Sequence, residues 1–98
     1  MTVLEREACT APRPVVAAAG YAHSRAALDR IPNAERVAAA LESLAAARPE
    51  DVDPVPGTIV RVLRAHRYGD FPALRLYYSV DAVAVRLLRI EEWDAMEA

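Results

Sequence analysis

The fold is decided by the stretch Ala73-Leu74-Arg75-Leu76-Tyr77-Tyr78-Ser79-Val80, in which apolar and polar side chains alternate. Successive side chains of a β-strand point to opposite faces of a sheet, so one face here carries Leu74, Leu76, Tyr78 and Val80. The other face carries an arginine, a tyrosine and a serine. This alternation predicts a strand with one buried face and one open face.

Two further strands are predicted beside this one. Residues 58–66 are rich in valine, isoleucine and leucine, and residues 82–90 follow the central stretch after a tight turn near Asp81. The loop over residues 66–72 contains a glycine and a proline, which are typical turn residues. Because consecutive strands with short links usually lie side by side, we predict an antiparallel meander.

The first half of the chain has a helical pattern. The loop over residues 48–57 contains three prolines and one glycine, and it separates this half from the strands. Upstream of it, apolar residues at helical spacing predict one helix from about His23 to Ile31 and another from about Asn33 to Ala47. Two helices separated only by Pro32 would form an antiparallel hairpin.

A β segment over residues 13–19 completes the order β-α-α-β-β-β, although residues 15–19 suit a helix nearly as well. We therefore predict an α+β fold, in which the helical hairpin packs on one face of a small antiparallel sheet. The other face would be left to solvent or to a partner. Residues 1–12 would be a polar leader that forms an edge strand or stays mobile, and residues 13–98 would form a single domain.

The composition is that of a globular protein. A hydrophobic fraction of 54% with 27% charged residues argues against intrinsic disorder in this chain of 98 residues. The longest apolar run, residues 14–22, is shorter than the roughly 20 residues of a membrane helix. Glu5 and Glu7 accompany Arg6 in the leader, which argues against a secretory signal. Because Cys9 is the only cysteine, we expect a reduced, cytoplasmic protein.

The charge is unevenly distributed along the chain. The sequence contains twelve arginines and no lysine, and its net charge is −2. Residues 57–90 hold six arginines against two aspartates, which gives +4, whereas residues 91–98 hold four acidic residues and no base. The basic middle could face an anionic partner, or it could be an ordinary solvated surface.

The two halves together resemble the RelE/ParE superfamily of bacterial toxins. In the first half, the resemblance is carried by Arg25-Ala26-Ala27-Leu28-Asp29-Arg30-Ile31-Pro32, which runs into Glu35-Arg36-Val37-Ala38-Ala39-Ala40-Leu41-Glu42-Ser43-Leu44. In the second half it is carried by Leu74-Arg75-Leu76-Tyr77-Tyr78-Ser79-Val80-Asp81, followed by Val83-Ala84-Val85-Arg86-Leu87-Leu88-Arg89-Ile90. These segments resemble the helical hairpin and the meander of the family, and the resemblance covers residues 14–92.

The resemblance implies the toxin of a type II toxin–antitoxin pair, which inhibits bacterial growth. RelE-like members are mRNA interferases that cleave messenger RNA in the ribosomal A site. Their basic residues hold the phosphate, and one residue helps to transfer a proton. ParE-like members lack this chemistry and inhibit DNA gyrase. The partners implied are therefore a cognate antitoxin protein and either the ribosome with its mRNA or DNA gyrase, with no membrane partner.

Arg75 is the first candidate for catalysis, because it takes the place of the arginine in the family's central strand. Cleavage of RNA by its own 2′-hydroxyl needs no metal, but it needs a group that stabilises negative charge on the phosphate. The planar guanidinium group does this well. Arg61 and Arg64 are candidate phosphate contacts on the preceding strand, and their opposite parity predicts that only one of them shares the face of Arg75.

His66, Tyr68 and Tyr77 complete the candidate site. His66 lies at a strand end and could act as a general acid or base near neutral pH. The two tyrosines could bind substrate by stacking on a base or by donating a hydroxyl. Two scattered histidines and one cysteine predict no metal site, and we expect no cofactor. If the protein is an enzyme, it would be a metal-independent endoribonuclease.

Two other functions remain open at this point. The segment Glu91-Glu92-Trp93-Asp94-Ala95-Met96 is acidic, and acidic side chains beside a phosphate site would repel RNA. The alternative is therefore a non-catalytic RelE/ParE-like domain that binds or inhibits a protein. In that case Trp93 and Met96 would belong to a docking segment, or to a last helical turn over the sheet. A structural domain with the same architecture is the third hypothesis, and an exposed sheet edge would permit a homodimer.

Overall fold

The computed structural model describes residues 13–93, so the predicted leader at residues 1–12 and the acidic end at residues 94–98 lie outside the described residues. The strands are β1 (Val15–Ala17), β2 (Val60–Ala65), β3 (Leu74–Val80) and β4 (Val85–Glu92), and the helices are α1 (Ala19–Ala26) and α2 (Ala34–Ala47). One 3₁₀ turn follows each helix, at Ala27–Arg30 and Pro49–Asp51. The predicted α+β class and the order β-α-α-β-β-β are confirmed. Neither helix of the described part is long and apolar enough to cross a membrane.

The four strands form one sheet in the order β1-β4-β3-β2. The strands β2, β3 and β4 are antiparallel neighbours, as the meander predicts. At the edge, β1 pairs with β4 in parallel, with Val15 opposite Val85, so the sheet is mixed and has one parallel pair. Parallel neighbours need a long crossover connection, which the helical hairpin and the β2–β3 hairpin supply together. Alternation in a sequence predicts which face a residue occupies but not the direction of its strand.

The first helix begins and ends earlier than predicted. It spans Ala19–Ala26 and is followed by a 3₁₀ turn, whereas the apolar spacing predicted a helix from His23 to Ile31. The strand β1 is only three residues long, so Gly20 lies inside the helix rather than before it. The 3₁₀ turn that follows ends before Pro32, because a proline ring disfavours helical backbone at the residue before it. Ile31 is accordingly extended, with φ −103° and ψ 119°.

The second helix matches its predicted span and packs closely on the sheet. Three of its four buried residues are alanines, which lets the helix approach β3; the four are Ala34, Ala38, Leu41 and Ala45. Asn33 precedes the helix with a positive φ of 67°, a conformation that asparagine tolerates better than most residues. Its side-chain amide donates to the carbonyl oxygen of Asp70 at 3.1 Å, which ties the start of α2 to the β2–β3 loop.

The helix-facing side of the sheet forms the core. It carries the apolar half of the alternating stretch together with three residues of β4, and the buried set is Leu74, Leu76, Tyr78, Val85, Leu87 and Ile90. The hydroxyl of Tyr78 donates to the carbonyl oxygen of Pro49 at 2.9 Å, and burial raises its pKa. This bond holds the 3₁₀ turn after α2 against the core.

A polar cluster joins the two helices beside the core. The guanidinium of Arg25 lies 2.8 Å from Glu42, measured from Nε to Oε2, and 2.7 Å from Glu35, measured from Nη1 to Oε2. The hydroxyl of Tyr21 also donates to Glu42, and its pKa is raised, first by burial and then by this carboxylate. The hairpin is therefore fixed by charge as well as by apolar packing.

Candidate functional site

The sheet face that points away from the helices carries most of the charged side chains of the strands. We call it the open face. The strand register assigns to it Val60, Val62, Arg64, Arg75, Tyr77, Ser79, Arg86, Arg89 and Glu91. Arg64 lies directly opposite Arg75, and Arg75 lies directly opposite Glu91. Three neighbouring strands therefore place charged residues in one row across this face.

A β-bulge decides which residues of β4 belong to the open face. Tyr77 is paired with Arg89 and Tyr78 with Leu87, so Leu88 is an extra residue with no counterpart on β3. In a regular strand Leu87 and Arg89 would point to the same face. The extra residue reverses the alternation, so that Leu87 stays in the core while Arg89 turns to the open face. Glu91, two residues further on, takes the same side as Arg89.

Glu91 is the centre of a hydrogen-bonded cluster on this face. Its Oε2 atom accepts from Nε of Arg75 at 2.6 Å and from the hydroxyl of Tyr77 at 3.3 Å. Its Oε1 atom lies 3.0 Å from Nε of Arg89. The guanidinium of Arg75 also lies 5.9 Å from the centre of the Tyr77 ring, a cation–π contact. We call Arg75, Tyr77, Arg89 and Glu91 the Glu91 cluster.

The cluster is half-buried and carries a positive charge. The side chains of Arg75 and Glu91 expose 32% and 23% of their surface, whereas that of Arg89 exposes 66%. Two arginines face one carboxylate, and Arg64 adds a third arginine from the neighbouring strand. The open face therefore stays basic overall, but its central arginine is held by a carboxylate of the same chain.

The structure separates the two arginines that were predicted as phosphate contacts. Arg64 is opposite Arg75 on the open face and is exposed. Arg61 points to the helix side, where its guanidinium donates to the carbonyl oxygens of Glu50 and Val52. Its Nε atom is buried without a hydrogen-bond partner. Arg61 is thus an anchor for the loop after α2, and it lies away from the open face.

His66 lies at one end of the open face, two residues beyond Arg64. Its ring packs edge-to-face on Trp93, with 5.4 Å between ring centres and an angle of 65°. Trp93 is itself buried, and its indole N–H donates to the carbonyl oxygen of Ala65 at 3.3 Å. The structure therefore makes Trp93 a cover over the end of the sheet. Met96, which was predicted to act with it, lies outside the described residues.

Tyr68 lies farther away, at the tip of the β2–β3 hairpin. It exchanges two backbone hydrogen bonds with Phe71, of 3.1 and 2.9 Å, and Gly69 between them has a positive φ of 57°. Its side chain is 80% exposed. It lies three residues beyond the end of β2, the strand that carries Arg64. The structure thus brings Arg64, Arg75 and Tyr77 together, places His66 at the edge of this group, and leaves Tyr68 outside it.

Glu91 and Arg89 are the residues of this site that the sequence reading missed. Regular alternation from Val85 would have put both on the core side with Leu87. One signal was present in the sequence, because the apolar positions of β4 change from odd numbers, 85 and 87, to an even number, 90. Such a change of parity indicates a bulge.

A concave feature lies beside β4, and Arg89 and Glu91 of the Glu91 cluster are among the residues that line it. It is a cavity of about 550 Å³ between the α1 segment and the end of β4, lined in part by Ser24, Leu28, Ile31, Leu88 and Ile90. The Ser24 hydroxyl donates to the carbonyl oxygen of Tyr21 at 3.0 Å and accepts from the Ile90 N–H at 3.1 Å. The Ser24 hydroxyl is therefore hydrogen-bonded to the edge of β4 at a residue that β1 does not pair with. None of the six predicted site residues lines this cavity.

The chemistry available at the open face is electrostatic. Residues 13–93 contain no group of three or more histidine, cysteine, aspartate or glutamate side chains placed to hold a metal ion. The Nε atoms of Arg75 and Arg89 and the hydroxyl of Tyr77 are aimed at a carboxylate of the same chain. A catalytic site for phosphoryl chemistry needs donors aimed at the position where charge develops in the transition state.

Comparison with known proteins adds no relative. No family model matches the chain, and neither the curated proteins nor the solved structures give a significant match.

Proposed function

We propose that this protein is the toxin of a bacterial toxin–antitoxin pair, and that it inhibits growth by binding a protein target rather than by cleaving messenger RNA. Within the RelE/ParE resemblance, this corresponds to the members that inhibit DNA gyrase. The proposal places the protein in the cytoplasm, with a cognate antitoxin as its second partner.

The order of the elements supports the resemblance. The two segments that resemble the family correspond to a helical hairpin over residues 19–47 and a meander over residues 60–92. The hairpin covers one face of the sheet and leaves the arginine-rich face open. A fold alone does not define an activity, so the choice between the two activities rests on the open face itself.

The contact between Arg75 and Glu91 is the observation that carries the choice. A nuclease of this kind needs an arginine whose donors point at the phosphate of a bound RNA. Here Nε of Arg75 is 2.6 Å from a carboxylate oxygen, and the same carboxylate is held by Arg89 and Tyr77. An RNA phosphate bound at Arg75 would lie beside the Glu91 carboxylate, and these two negative charges would repel each other. A face that carries both positive and negative side chains is complementary to a protein surface that also carries charges of both signs.

The surroundings of His66 support the same choice. A general acid or base must be within hydrogen-bond reach of the reacting group. The ring of His66 instead packs against Trp93 at the end of the sheet. This contact is typical of a residue that packs against the end of the sheet.

Induced expression in a bacterial host tests the proposal. Growth is followed together with pulse-labelled DNA synthesis and protein synthesis. We expect growth arrest in which DNA synthesis falls before protein synthesis. The variant Arg75→Ala should relieve the arrest, whereas Arg48→Ala should not, because Arg48 lies at the end of α2 with 76% of its side chain exposed.

Two other outcomes would overturn the proposal. If protein synthesis falls first and messenger RNA is cut, the protein is a ribosome-dependent nuclease and Arg75 binds phosphate despite Glu91. If the folded wild type causes no arrest, the non-catalytic binding domain is the better account. Circular dichroism of each purified variant separates loss of function from loss of fold.

A further inference from the structure

The cavity beside β4 combines an apolar floor with charged residues. Its floor is formed by Leu28 and Ile90, which are 4% and 1% exposed, together with the half-buried side chains of Ile31 and Leu88. Its volume of about 550 Å³ falls within the range of roughly 300–1,000 Å³ that is typical of small-molecule sites. An aliphatic chain would bury its surface against these four residues.

The cavity exists because β1 is short. It pairs with β4 only at residues 85–87, and in the described part of the chain no strand lies beside residues 88–92 on that side. The N–H of Ile90 points to this edge, where the Ser24 hydroxyl accepts it at 3.1 Å. Alternate residues of a strand point their backbone groups to the same side, so the N–H of Glu92 also points away from β3. It is a donor that the sheet does not use.

The acidic residues that line the cavity are already neutralised by arginines. Glu91 is held by two arginines of the Glu91 cluster, and Glu92 lies 3.7 Å from Arg67. The side chain of Arg30, which also lines the cavity, is exposed and forms no hydrogen bond or ion pair with any of residues 13–93. Arg30 is therefore available to a negatively charged ligand.

We infer that this cavity binds a small amphipathic carboxylate, whose aliphatic tail packs on the apolar floor and whose carboxylate group binds Arg30. The planar guanidinium group donates two parallel hydrogen bonds to a carboxylate. A doubly charged phosphate fits less well, because Glu91 and Glu92 line the same cavity and would repel a second negative charge. The inference goes beyond the proposed function and does not rest on it, because the ligand is neither a protein nor a nucleic acid.

Titration with sodium octanoate, followed by nuclear magnetic resonance of the methyl-labelled full chain, tests the inference. We expect saturable shifts of the methyl resonances of Leu28, Leu88 and Ile90, which line the cavity. Leu44 is the matched control, because it is 52% exposed on α2 and does not line the cavity. Its methyl resonances should stay unchanged at the same concentrations.

The charge of the head group is tested with a second probe and two variants. Octylammonium has the same tail with a positive head, and we expect it to bind about tenfold more weakly than octanoate, or weaker still. Arg30→Gln should weaken octanoate binding by a similar factor, because it removes a charge-assisted contact. Arg48→Gln makes the same change of net charge at a side chain that is 76% exposed and outside the cavity, and it should bind octanoate as wild type does.

Four results would overturn the inference. The first is a titration without saturable shifts at the three cavity residues, and the second is an equal response at Leu44, which would show general adsorption to apolar surface. The third is equal affinity for the two probes, or wild-type affinity in Arg30→Gln. The fourth is a wild-type dimer that octanoate dissociates in analytical ultracentrifugation, because the cavity would then be covered by a second copy of the chain.

These measurements are independent of the proposed function. They use purified protein and a small molecule, and none of them depends on growth arrest or on DNA gyrase. The methyl spectrum of each variant also shows whether it is folded, so loss of binding is separated from loss of fold.

Discussion

Arg75 and Glu91 face each other across β3 and β4, with Nε of the arginine 2.6 Å from Oε2 of the glutamate. The same carboxylate lies 3.0 Å from Nε of Arg89. This arrangement exists because the bulge at Leu88 turns Arg89 and Glu91 to the side of Arg75. The basic open face is therefore neutralised in part at its centre, and this changes what the face can bind.

The Glu91 cluster should contribute modestly to stability. We expect Glu91→Ala to lower the free energy of unfolding by about 1 kcal/mol, because it leaves two arginines close together without their shared carboxylate. Glu92→Ala, at an exposed ion pair, should change it by less than about 0.5 kcal/mol. Urea denaturation followed by circular dichroism measures both. Equal losses in the two variants would show that the cluster is no more than a surface ion pair.

Leu41 and Leu44 provide a matched pair on α2. Leu41 is 3% exposed in the core, whereas Leu44 is 52% exposed. Leu41→Asp should leave the chain unfolded, because a buried carboxylate without a partner costs more than a small domain can spare. Leu44→Asp should fold cooperatively. A cooperative melting transition for Leu41→Asp would contradict the position of α2 over the sheet.

Trp93 should stabilise the end of the sheet. Its backbone N–H donates to the carbonyl oxygen of Ala73 at 3.1 Å, and its buried indole covers the strand ends. We expect Trp93→Ala to cost about 3 kcal/mol, and His66→Ala less than about 1 kcal/mol because its ring is exposed. Thermal unfolding of the two variants tests this order. A Trp93→Ala protein as stable as wild type would show that this tryptophan is free to dock elsewhere.

The turn between β3 and β4 should make stability sensitive to acid. Asp81 accepts hydrogen bonds from the N–H groups of Ala84 and Val83, each at 2.8 Å, and these bonds hold the pKa of its carboxyl below the usual range. A group whose pKa is lowered by folding stabilises the protein above its unfolded pKa of about 4. This contribution is lost as the pH falls through the folded pKa.

The melting temperature should therefore decrease as the pH is lowered past about 4. In Asp81→Ala the melting temperature should decrease less steeply with pH. Asp53→Ala, in the exposed loop before β2, is the control and should keep the wild-type slope. Melting curves between pH 2 and pH 7 measure the effect. The account of this turn is wrong if Asp81→Ala keeps the wild-type slope.

The fold could be predicted from the sequence because its signals are local. The alternation over Leu74–Val80 and the apolar spacing over Ala34–Ala47 each depend on neighbours within a few residues, and both elements appear where they were predicted. The parallel pairing of β1 could not be predicted in this way, because strand direction depends on contacts between distant parts of the chain.

The candidate site could be predicted only in part. Arg75, Tyr77 and Arg64 follow from simple alternation and do share the open face. Glu91 and Arg89 depend on one extra residue in β4, and a single inserted residue reverses every later side chain of a strand. The role of Arg61 as an anchor depends on where the loop after α2 returns to the sheet, which local sequence does not specify.

A parallel assay with purified protein tests the central claim most directly. One arm measures the supercoiling of plasmid DNA by DNA gyrase, and the other measures cleavage of messenger RNA on ribosomes with an occupied P site. We predict inhibition of gyrase by wild type, weaker inhibition by Arg75→Ala, and no RNA cleavage. Cleavage of the messenger RNA by wild type, lost in Arg75→Ala while gyrase stays fully active, would contradict the account.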